Sequence, residues 1–320
     1  MCCLFGLLDP RHILTARQKN RLVNALAVAA EARGTDATGI AYNSGGQLCV
    51  YKRPLPAHGM DLCVPQDVIA VMGHTRMTTQ GSELKNHNNH PFLGRAGTDR
   101  FALAHNGMLY NDKYLRSTLH LPRTKIETDS YIGVQLIQRK KALDFTSLKY
   151  MAEQVEGSFC FTLLDQNNAL YIVKGDNPIC LYYFPALGLY IYASTEEILR
   201  KALSGAKLPR GKSVQIPISC GDILKIRADG ERIGSQFDVA HLHSWNSGPW
   251  MYVRSTQHHR RENTTKDPYL EELKQIAASL GYTPEAIERL AGMGFCAEEI
   301  EEWMYECFGC EAFSERGDFL

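Results

Sequence analysis

The opening residues Met1-Cys2-Cys3-Leu4-Phe5-Gly6 decide how the rest of this sequence is interpreted. A side chain as small as that of Cys2 permits removal of the initiator methionine, so we expect the mature chain to begin with a cysteine. Its α-amine, with an unperturbed pKa of about 7.7–8.0, can accept a proton near neutral pH and activate the thiol of the same residue. The alternative is a pair of small apolar residues opening a buried strand, because free cysteine is often buried.

The composition favours a folded chain of about two domains. Of its 320 residues, 44% are hydrophobic, and 35 basic residues balance 35 acidic ones. The balanced charge gives no reason to expect a nucleic-acid partner. The apolar run over residues 22–30 is shorter than the roughly 20 residues of a membrane helix. No basic region precedes the opening apolar stretch, so we expect a cytoplasmic protein without membrane association.

The cysteines and histidines do not predict a metal site. The ten cysteines are scattered along the chain, as is typical of reduced cysteines in a cytoplasmic protein. Cys307 and Cys310 form a single CxxC pair without a second pair to complete a zinc site. The histidines between residues 241 and 259 lie in a polar segment and are interpreted as solvated. We therefore predict no metal and no cofactor.

Hydrophobic periodicity predicts helices and strands in separate groups. The helices are predicted over residues 16–32, with Gly34 as a C-terminal cap, and over 127–141 and 145–155. Residues 78–100 are predicted to form a long loop. The predicted strands cover residues 39–42, 48–52, 68–73, 101–105, 157–164, 169–173, 179–183, 189–193 and 223–226. Because helices and strands do not alternate one for one, we predict an α+β fold in layers.

The chain changes character after this mixed region. Residues 2–233 are predicted to form the first domain, and the polar residues 234–266 a linker. Residues 267–320 are predicted to form a small all-α domain, in which the segment 280–290 is repeated at 293–303 as a glycine turn followed by a short helix. We interpret this domain as a docking element.

Three blocks in the middle of the chain could complete a catalytic site around the Cys2 thiol. Arg76 can hold a carboxylate through two parallel hydrogen bonds. Asn106 and Gly107 offer a side-chain and a backbone N–H to a developing oxyanion. Asp129 can pair with an ammonium group, so Arg76 and Asp129 together suit the head group of an amino acid. Each block also has an ordinary explanation, namely a surface ion pair, a turn and a helix cap.

In their order and spacing these motifs resemble the class II glutamine amidotransferase domain, a member of the N-terminal-nucleophile hydrolases. The similarity covers roughly residues 2–230. The segments that match are Cys2-Cys3-Leu4-Phe5-Gly6, Arg33-Gly34-Thr35-Asp36-Ala37-Thr38-Gly39-Ile40, Gly73-His74-Thr75-Arg76, Asn88-Asn89-His90-Pro91-Phe92, His105-Asn106-Gly107, Tyr110-Asn111, Glu127-Thr128-Asp129-Ser130, Glu156-Gly157-Ser158-Phe159 and Ala193-Ser194-Thr195-Glu196. The resemblance implies a four-layer αββα sandwich with the nucleophile at the end of the first strand.

The resemblance also implies a reaction. Cys2 would attack the side-chain amide carbon of glutamine while its α-amine carries the proton, and Asn106 and Gly107 would form the oxyanion hole. Ammonia would leave, and water would hydrolyse the γ-glutamyl thioester to glutamate.

The same resemblance implies residues for substrate binding. Arg76 would hold the α-carboxylate of glutamine and Asp129 its α-ammonium group, with Thr79 nearby on a lid. Arg33 and His90 match motif positions and are expected to have supporting roles around the pocket.

Two departures from the family pattern leave alternatives open. Cys3 stands where the family has glycine, which could crowd the turn or offer a second sulfur for oxidation. Too few residues follow position 230 for a domain that consumes ammonia, so we expect a separate acceptor protein that docks through the C-terminal helices. The alternatives are an N-terminal-nucleophile amidase acting on another γ-glutamyl or amide substrate, and a non-catalytic glutamine-sensing scaffold.

Overall fold

The computed structural model describes residues 2–206, 211–243, 268–279, 283–285, 287–288 and 300. The chain divides into two compact units, Met1–His243 and Ser244–Leu320. In the second unit the described helix is Pro268–Ser279, on which Leu273 and Ala277 are buried. Most of the tandem repeat expected over residues 280–303 lies outside the described residues.

The first unit contains two antiparallel sheets among its described residues. The strands are β1 (Cys3–Leu8), β2 (Ala37–Ser44), β3 (Gln47–Arg53), β4 (Ala70–Arg76), β5 (Phe92–Ala96), β6 (Asp99–Leu109), β7 (Gly157–Asp165), β8 (Leu170–Lys174), β9 (Cys180–Phe184), β10 (Leu189–Ala193), β11 (Val214–Ile216), β12 (Asp222–Ile226) and β13 (Arg232–Gln236). The first sheet has the order β11-β9-β10-β1-β4-β2-β3, and the second has the order β13-β12-β8-β7-β6-β5. The strand β1, which Cys2 precedes, is therefore central in its sheet.

Helices cover the outer faces of both sheets. The helices of the first unit are α1 (Ala16–Ala30), α2 (Asp112–Thr118), α3 (Tyr131–Lys140), α4 (Phe145–Gln154), α5 (Glu196–Ala206) and α6 (Ala240–His243). The second unit, considered by itself, contains α7 (Pro268–Ser279). Helices α1 and α5 share one apolar core with the first sheet, and α3 and α4 share another with the second sheet. A third core fills the space between the sheets. This four-layer arrangement confirms the predicted α+β sandwich.

The alternation of side chains along β1 fixes where Cys2 points. Cys3 and Phe5 belong to the core beneath α1 and α5, whereas Leu4 and Leu8 belong to the core between the sheets. Successive side chains of a strand face opposite sides. Cys2 therefore shares the face of Leu4, which looks toward the second sheet.

The predicted first helix is confirmed as α1, but its predicted cap is wrong. The helix begins at a capping box in which Thr15 and Gln18 satisfy each other's backbone N–H groups, and it ends at Glu31 with helical backbone angles. Gly34 serves a different purpose, since a Cβ on it would lie 2.5 Å from the carbonyl carbon of Arg76. The glycine permits a close approach of two backbones behind Arg76.

Two other predicted segments differ from the structure. Residues 78–100 do not form one continuous loop, because β5 occupies Phe92–Ala96 and β6 begins at Asp99. Strand β5 was missed because its central residues, Leu93 to Arg95, do not alternate in polarity. The helix predicted from residue 127 begins later, as α3 at Tyr131.

The first unit extends beyond Ile233, where the first domain was expected to end. Strand β13 and helix α6 occupy the start of the segment that was assigned to the linker. Strand β13 is an edge strand with an exposed, largely polar sequence, which explains why the hydrophobic pattern did not reveal it. Phe237 and Leu242 anchor this extension in the core beneath α3 and α4.

Candidate functional site

The Cys2 thiol lies at the end of β4, where the chain leaves the first sheet. The Met77 amide donates to Cys2 Sγ at 3.4 Å. Desolvation raises the pKa of the thiol, while the Met77 hydrogen bond and the charge of Arg76 lower it and the carboxylate of Asp129 raises it. The thiol is therefore close enough to both predicted head-group residues to feel their charges.

Arg33 fixes the backbone of the same residue. Its Nε donates to the Cys2 carbonyl oxygen at 2.9 Å. Arg33 follows α1, and the carbonyl it binds precedes β1, so the bond ties the end of the helix to the start of the strand. This contact fits the supporting position expected for Arg33.

Arg76 ends β4 and is 2% exposed. Its Nη1 donates to Asn89 Oδ1 at 2.7 Å, and its Nη2 donates to the carbonyl oxygens of Gln80 at 2.6 Å and Gly81 at 2.8 Å. Both two-pronged edges of a guanidinium include Nη2, which has two hydrogens. In this state both of those hydrogens are donated to the protein.

The contacts of Arg76 hold one side of the lid segment, which we define as residues 77–89. Glu127 holds the other side: its carboxylate accepts from Asn88 Nδ2 at 2.8 Å and is paired with Lys85. The Glu127 amide also donates to Asn88 Oδ1 at 2.9 Å, and Gln80 Nε2 donates to the Glu127 carbonyl at 3.0 Å. The lid segment is thus fastened to the residues immediately before Asp129.

Thr79 lies on the lid segment with an exposed side chain. Its neighbour Thr78 is tied down, because the Thr78 amide donates to Asp36 Oδ2 at 2.6 Å. A role for Thr79 in substrate binding stays a prediction.

Asp129 is buried at the turn before α3. Its Oδ2 accepts from the Leu109 amide at 2.7 Å, and its Oδ1 lies 3.3 Å from the Ser130 hydroxyl. An ionised carboxylate has about four lone-pair sites. Asp129 therefore keeps acceptor capacity for an ammonium group while the end of β6 holds it in place.

Asn106 and Gly107 lie near the end of β6, on the sheet that faces Cys2. Asn106 is 1% exposed, and its Nδ2 donates to Ser194 Oγ at 3.3 Å. Gly107 has φ of +140°, and a Cβ there would overlap the Ser158 carbonyl oxygen. No other residue type fits this backbone without displacing β7.

His90 belongs to a buried group of histidines. Its ring lies 4.1 Å from that of His74 and 4.4 Å from that of Phe92, centroid to centroid. Neither ring nitrogen of His90 has a hydrogen-bond partner among the described residues. Burial lowers the pKa of His74 to about 3 and holds the pKa of His90 well below its usual range. These rings are neutral, and His90 packs against the rings of His74 and Phe92.

Two residues beside the site were not singled out by the sequence. Ser194 follows β10, and its hydroxyl accepts from the Leu4 amide at 2.8 Å as well as from Asn106. Asn177 follows β8, and its Nδ2 donates to the Asn106 carbonyl at 3.1 Å. Ser194 lies in a matching motif, whereas the sequence around Asn177 signals no more than a turn. Among the described residues, no cluster of three or more His, Cys, Asp or Glu could hold a metal ion.

Part of the chain is similar to known proteins. Residues 74–201 match the family model of the glutamine amidotransferase domain. Glutamine–fructose-6-phosphate aminotransferase (isomerizing) of Streptococcus agalactiae is 32% identical over 117 residues, which cover 34% of this chain and 19% of that enzyme. The 7-cyano-7-deazaguanine synthase of Saccharolobus solfataricus is 29% identical over 109 residues, covering 33% and 22%. The chain therefore covers less than a quarter of the length of these two curated relatives.

Solved structures show the same fold. The glutamine phosphoribosylpyrophosphate amidotransferase of B. subtilis has a TM-score of 0.57 at 18% identity, covering 74% of this chain and 49% of that one. A structure described as the allosteric regulatory enzyme of purine biosynthesis has a TM-score of 0.58 over the same shares. No helix among the described residues has the length and apolar character needed to cross a membrane. Residues 74–201 are therefore similar to the glutamine amidotransferase domain, and the chain shares the fold of these solved amidotransferase structures.

Proposed function

We propose that the domain hydrolyses the side-chain amide of glutamine through Cys2. The observation that carries this proposal is the position of the Cys2 thiol, which accepts from the Met77 amide at 3.4 Å and so lies beside the end of β4, where Arg76 is located. After methionine removal the Cys2 α-amine takes the thiol proton, and Sγ bonds to the amide carbon of glutamine. The carbon–nitrogen bond breaks, the proton leaves with ammonia, and water then hydrolyses the thioester to glutamate.

The oxyanion of each tetrahedral intermediate is assigned to Asn106 and Gly107. The Asn106 amide nitrogen has two hydrogens, of which one is bonded to Ser194 and the other is free to point at substrate. Donors of this kind, fixed before the reaction, stabilise the charge that develops in the transition state.

Recognition of the glutamine head group is assigned to Arg76 and Asp129, with Thr79 on the lid segment and with Arg33 and His90 supporting the pocket. Because both Nη2 hydrogens of Arg76 are bonded to lid carbonyls, a two-pronged grip on the substrate carboxylate requires the lid segment to release one of them. Glutamine binding is thereby coupled to the conformation of residues 80–81.

The ammonia acceptor is proposed to be a separate protein that docks through residues 267–320, and the reaction is proposed to be cytoplasmic. Deleting this segment should leave glutamine hydrolysis within a few-fold of the full chain. A deletion variant that folds but does not release ammonia would show that the segment is required at the active site.

The deciding experiment is intact-mass analysis after incubation with 6-diazo-5-oxo-L-norleucine, an electrophilic glutamine analogue. We expect a chain that lacks Met1 and carries one adduct, which is absent from Cys2→Ala and retained in Cys49→Ala. Cys49 is a half-buried free thiol on β3 and serves as the matched control.

Three results would separate the alternatives. An adduct that persists in Cys2→Ala contradicts the nucleophile assignment. Labelling of Cys2 without hydrolysis of glutamine favours another amide substrate. Glutamine-dependent thermal stabilisation without either labelling or ammonia release favours a sensing role.

A further inference from the structure

Ser194 fixes the side chain of Asn106 to the strand that follows the nucleophile. Its Oγ accepts from the Leu4 amide at 2.8 Å and from Asn106 Nδ2 at 3.3 Å, and its own amide donates to the Leu4 carbonyl at 2.9 Å. The paired register of β1 and β10 ends one residue earlier, at Phe5 and Ala193. The Ser194 hydroxyl therefore accepts from the Leu4 amide in place of a backbone carbonyl of the neighbouring strand. The same hydroxyl also holds Asn106, which lies on the second sheet.

The bond to Ser194 also sets the direction of the Asn106 amide. Ser194 is fully buried, and Oδ1 of Asn106 has no hydrogen-bond partner among the described residues. One Nδ2 hydrogen points at Oγ, and the planar geometry of the amide then determines where the second one points. A side-chain donor for an oxyanion needs this kind of restraint, because free rotation would spread it over many directions.

Asn177 orients the second oxyanion donor, the Gly107 N–H, by binding the backbone carbonyl of Asn106. Its Nδ2 donates to the carbonyl oxygen of Asn106 at 3.1 Å. That carbonyl and the Gly107 N–H belong to one planar peptide group, in which C=O and N–H point in opposite directions when the bond is trans. Holding the carbonyl therefore aims the Gly107 N–H toward the opposite side. A hydrogen bond to the carbonyl also polarises the N–H of the same peptide.

Asn177 is itself held in place. Its amide donates to the Phe159 carbonyl at 3.3 Å, and the adjacent Asp176 accepts from the Phe159 amide at 2.8 Å. The bend that follows β8 is thus anchored on β7, directly across from Gly107, which pairs with Phe159 in the register of β6 and β7.

We infer that Ser194 and Asn177 are positioning residues for the oxyanion hole, with Ser194 orienting the Asn106 side chain and Asn177 orienting the Asn106–Gly107 peptide. This inference rests on the proposed function, which assigns Asn106 and Gly107 as the oxyanion donors. Because an oxyanion hole acts on the transition state, both residues influence kcat and leave the binding of glutamine nearly unchanged.

The two residues restrain different atoms of Asn106, and this difference permits a specific test. We would measure kcat and KM for glutamine hydrolysis in Asn106→Ala, Ser194→Ala, Asn177→Ala and the two double variants with Asn106→Ala. Ser147→Ala is the control, because Ser147 is a buried serine on α4. Thermal unfolding is recorded for every variant. If Ser194→Ala does not fold, Ser194→Cys replaces it, since a thiol is a weaker hydrogen-bonding group.

We expect each single positioning variant to lower kcat about tenfold, which corresponds to about 1.4 kcal/mol, while KM changes less than twofold. Ser194→Ala should have no further effect on kcat in the Asn106→Ala background, because the amide that it orients is gone. Asn177→Ala should still lower kcat about tenfold there, because the backbone carbonyl remains. The control variant Ser147→Ala should have the same kcat and KM as the wild-type chain.

The outcomes separate the inference from the function on which it rests. If Asn106→Ala leaves kcat unchanged, the oxyanion assignment fails and the inference fails with it. The inference alone is overturned if Asn106→Ala lowers kcat but Ser194→Ala and Asn177→Ala do not. It is also overturned if the decreases in kcat of these two variants are proportional to the decreases in their unfolding temperatures. A full Ser194→Ala effect in the Asn106→Ala background would also overturn it.

Discussion

Replacing Gly107 by alanine tests whether the backbone at the end of β6 is as constrained as the structure indicates. A Cβ at this position would overlap the Ser158 carbonyl oxygen, lie 2.7 Å from the Ser158 carbonyl carbon and lie 2.6 Å from Asn177 Nδ2. Real Cβ atoms do not approach backbone so closely, so β6 and β7 must separate. The φ of +140° adds backbone strain for any residue other than glycine.

The size of the effect follows from these two contributions. Strain at a disallowed φ costs about 1–3 kcal/mol, and overpacking costs about 1–3 kcal/mol more. We therefore expect Gly107→Ala to lower the free energy of unfolding by roughly 4 kcal/mol. If Gly107 supplies an oxyanion donor, moving its N–H should also reduce kcat by about 10²–10³-fold in the folded protein.

Gly46 provides a matched control for the backbone strain. It lies in the turn between β2 and β3 with φ of +74°, and a Cβ there would meet no atom within 4 Å. Gly46→Ala should therefore cost about 1–2 kcal/mol and leave kcat unchanged. Urea unfolding and ammonia release measured on both variants would check this. Equal unfolding free energies and equal kcat values for the two variants would refute the steric argument.

Three further perturbations test other parts of the domain. Arg76→Lys should raise KM for glutamine and increase proteolysis of the lid segment, because an ammonium group cannot replace the bonds of the planar guanidinium; unchanged values of both would contradict this. Lys19→Met should lower the free energy of unfolding by about 3 kcal/mol in denaturant titrations, since Lys19 and Asp9 are a fully buried pair, and an unchanged midpoint would argue against it. Because burial keeps His74 and His90 neutral in the folded chain, these side chains bind protons in the unfolded chain as the pH falls below about 6.5. The free energy of unfolding should therefore decrease as the pH falls from about 6.5 toward about 3. His90→Gln should reduce the slope of the free energy of unfolding against pH by about 1.4 kcal/mol per pH unit, and an unchanged slope would exclude the assignment.

Much of the fold could be predicted from apolar residues that repeat with a clear period, although α5, which has such a period, was not predicted. The helix α1 and the strands β7, β8 and β10 have such patterns, because each buries one face or both. The edge strands β5 and β13 escaped prediction, since each pairs on one side and exposes much of its surface, whereas the edge strand β3 was predicted over residues 48–52. Their positions depend on backbone pairing with neighbours that are distant in sequence.

The candidate site could also be predicted only in part from the sequence. Residue types with a distinctive chemistry could be proposed from motifs, and the structure places the Cys2 thiol beside Met77, the residue that follows Arg76. The contacts that hold them could not be read from the sequence. Both Nη2 hydrogens of Arg76 are used by lid carbonyls, and such bonds depend on how the lid segment folds. The bond from Asn177 to the Asn106 carbonyl spans 71 positions and has no sequence signature.

The fold explains how Cys3 is accommodated at the position where the family pattern has glycine. The sequence left open whether its side chain crowds the nucleophile, but alternation along β1 places Cys2 and Cys3 on opposite faces of the sheet. Cys3 is fully buried beneath α1 and α5, and burial raises the pKa of its thiol. A buried, protonated thiol that packs like a small apolar side chain neither competes with Cys2 as a nucleophile nor occupies the space in front of it. We therefore expect the replacement of glycine to affect mainly the packing of β1 against α1 and α5.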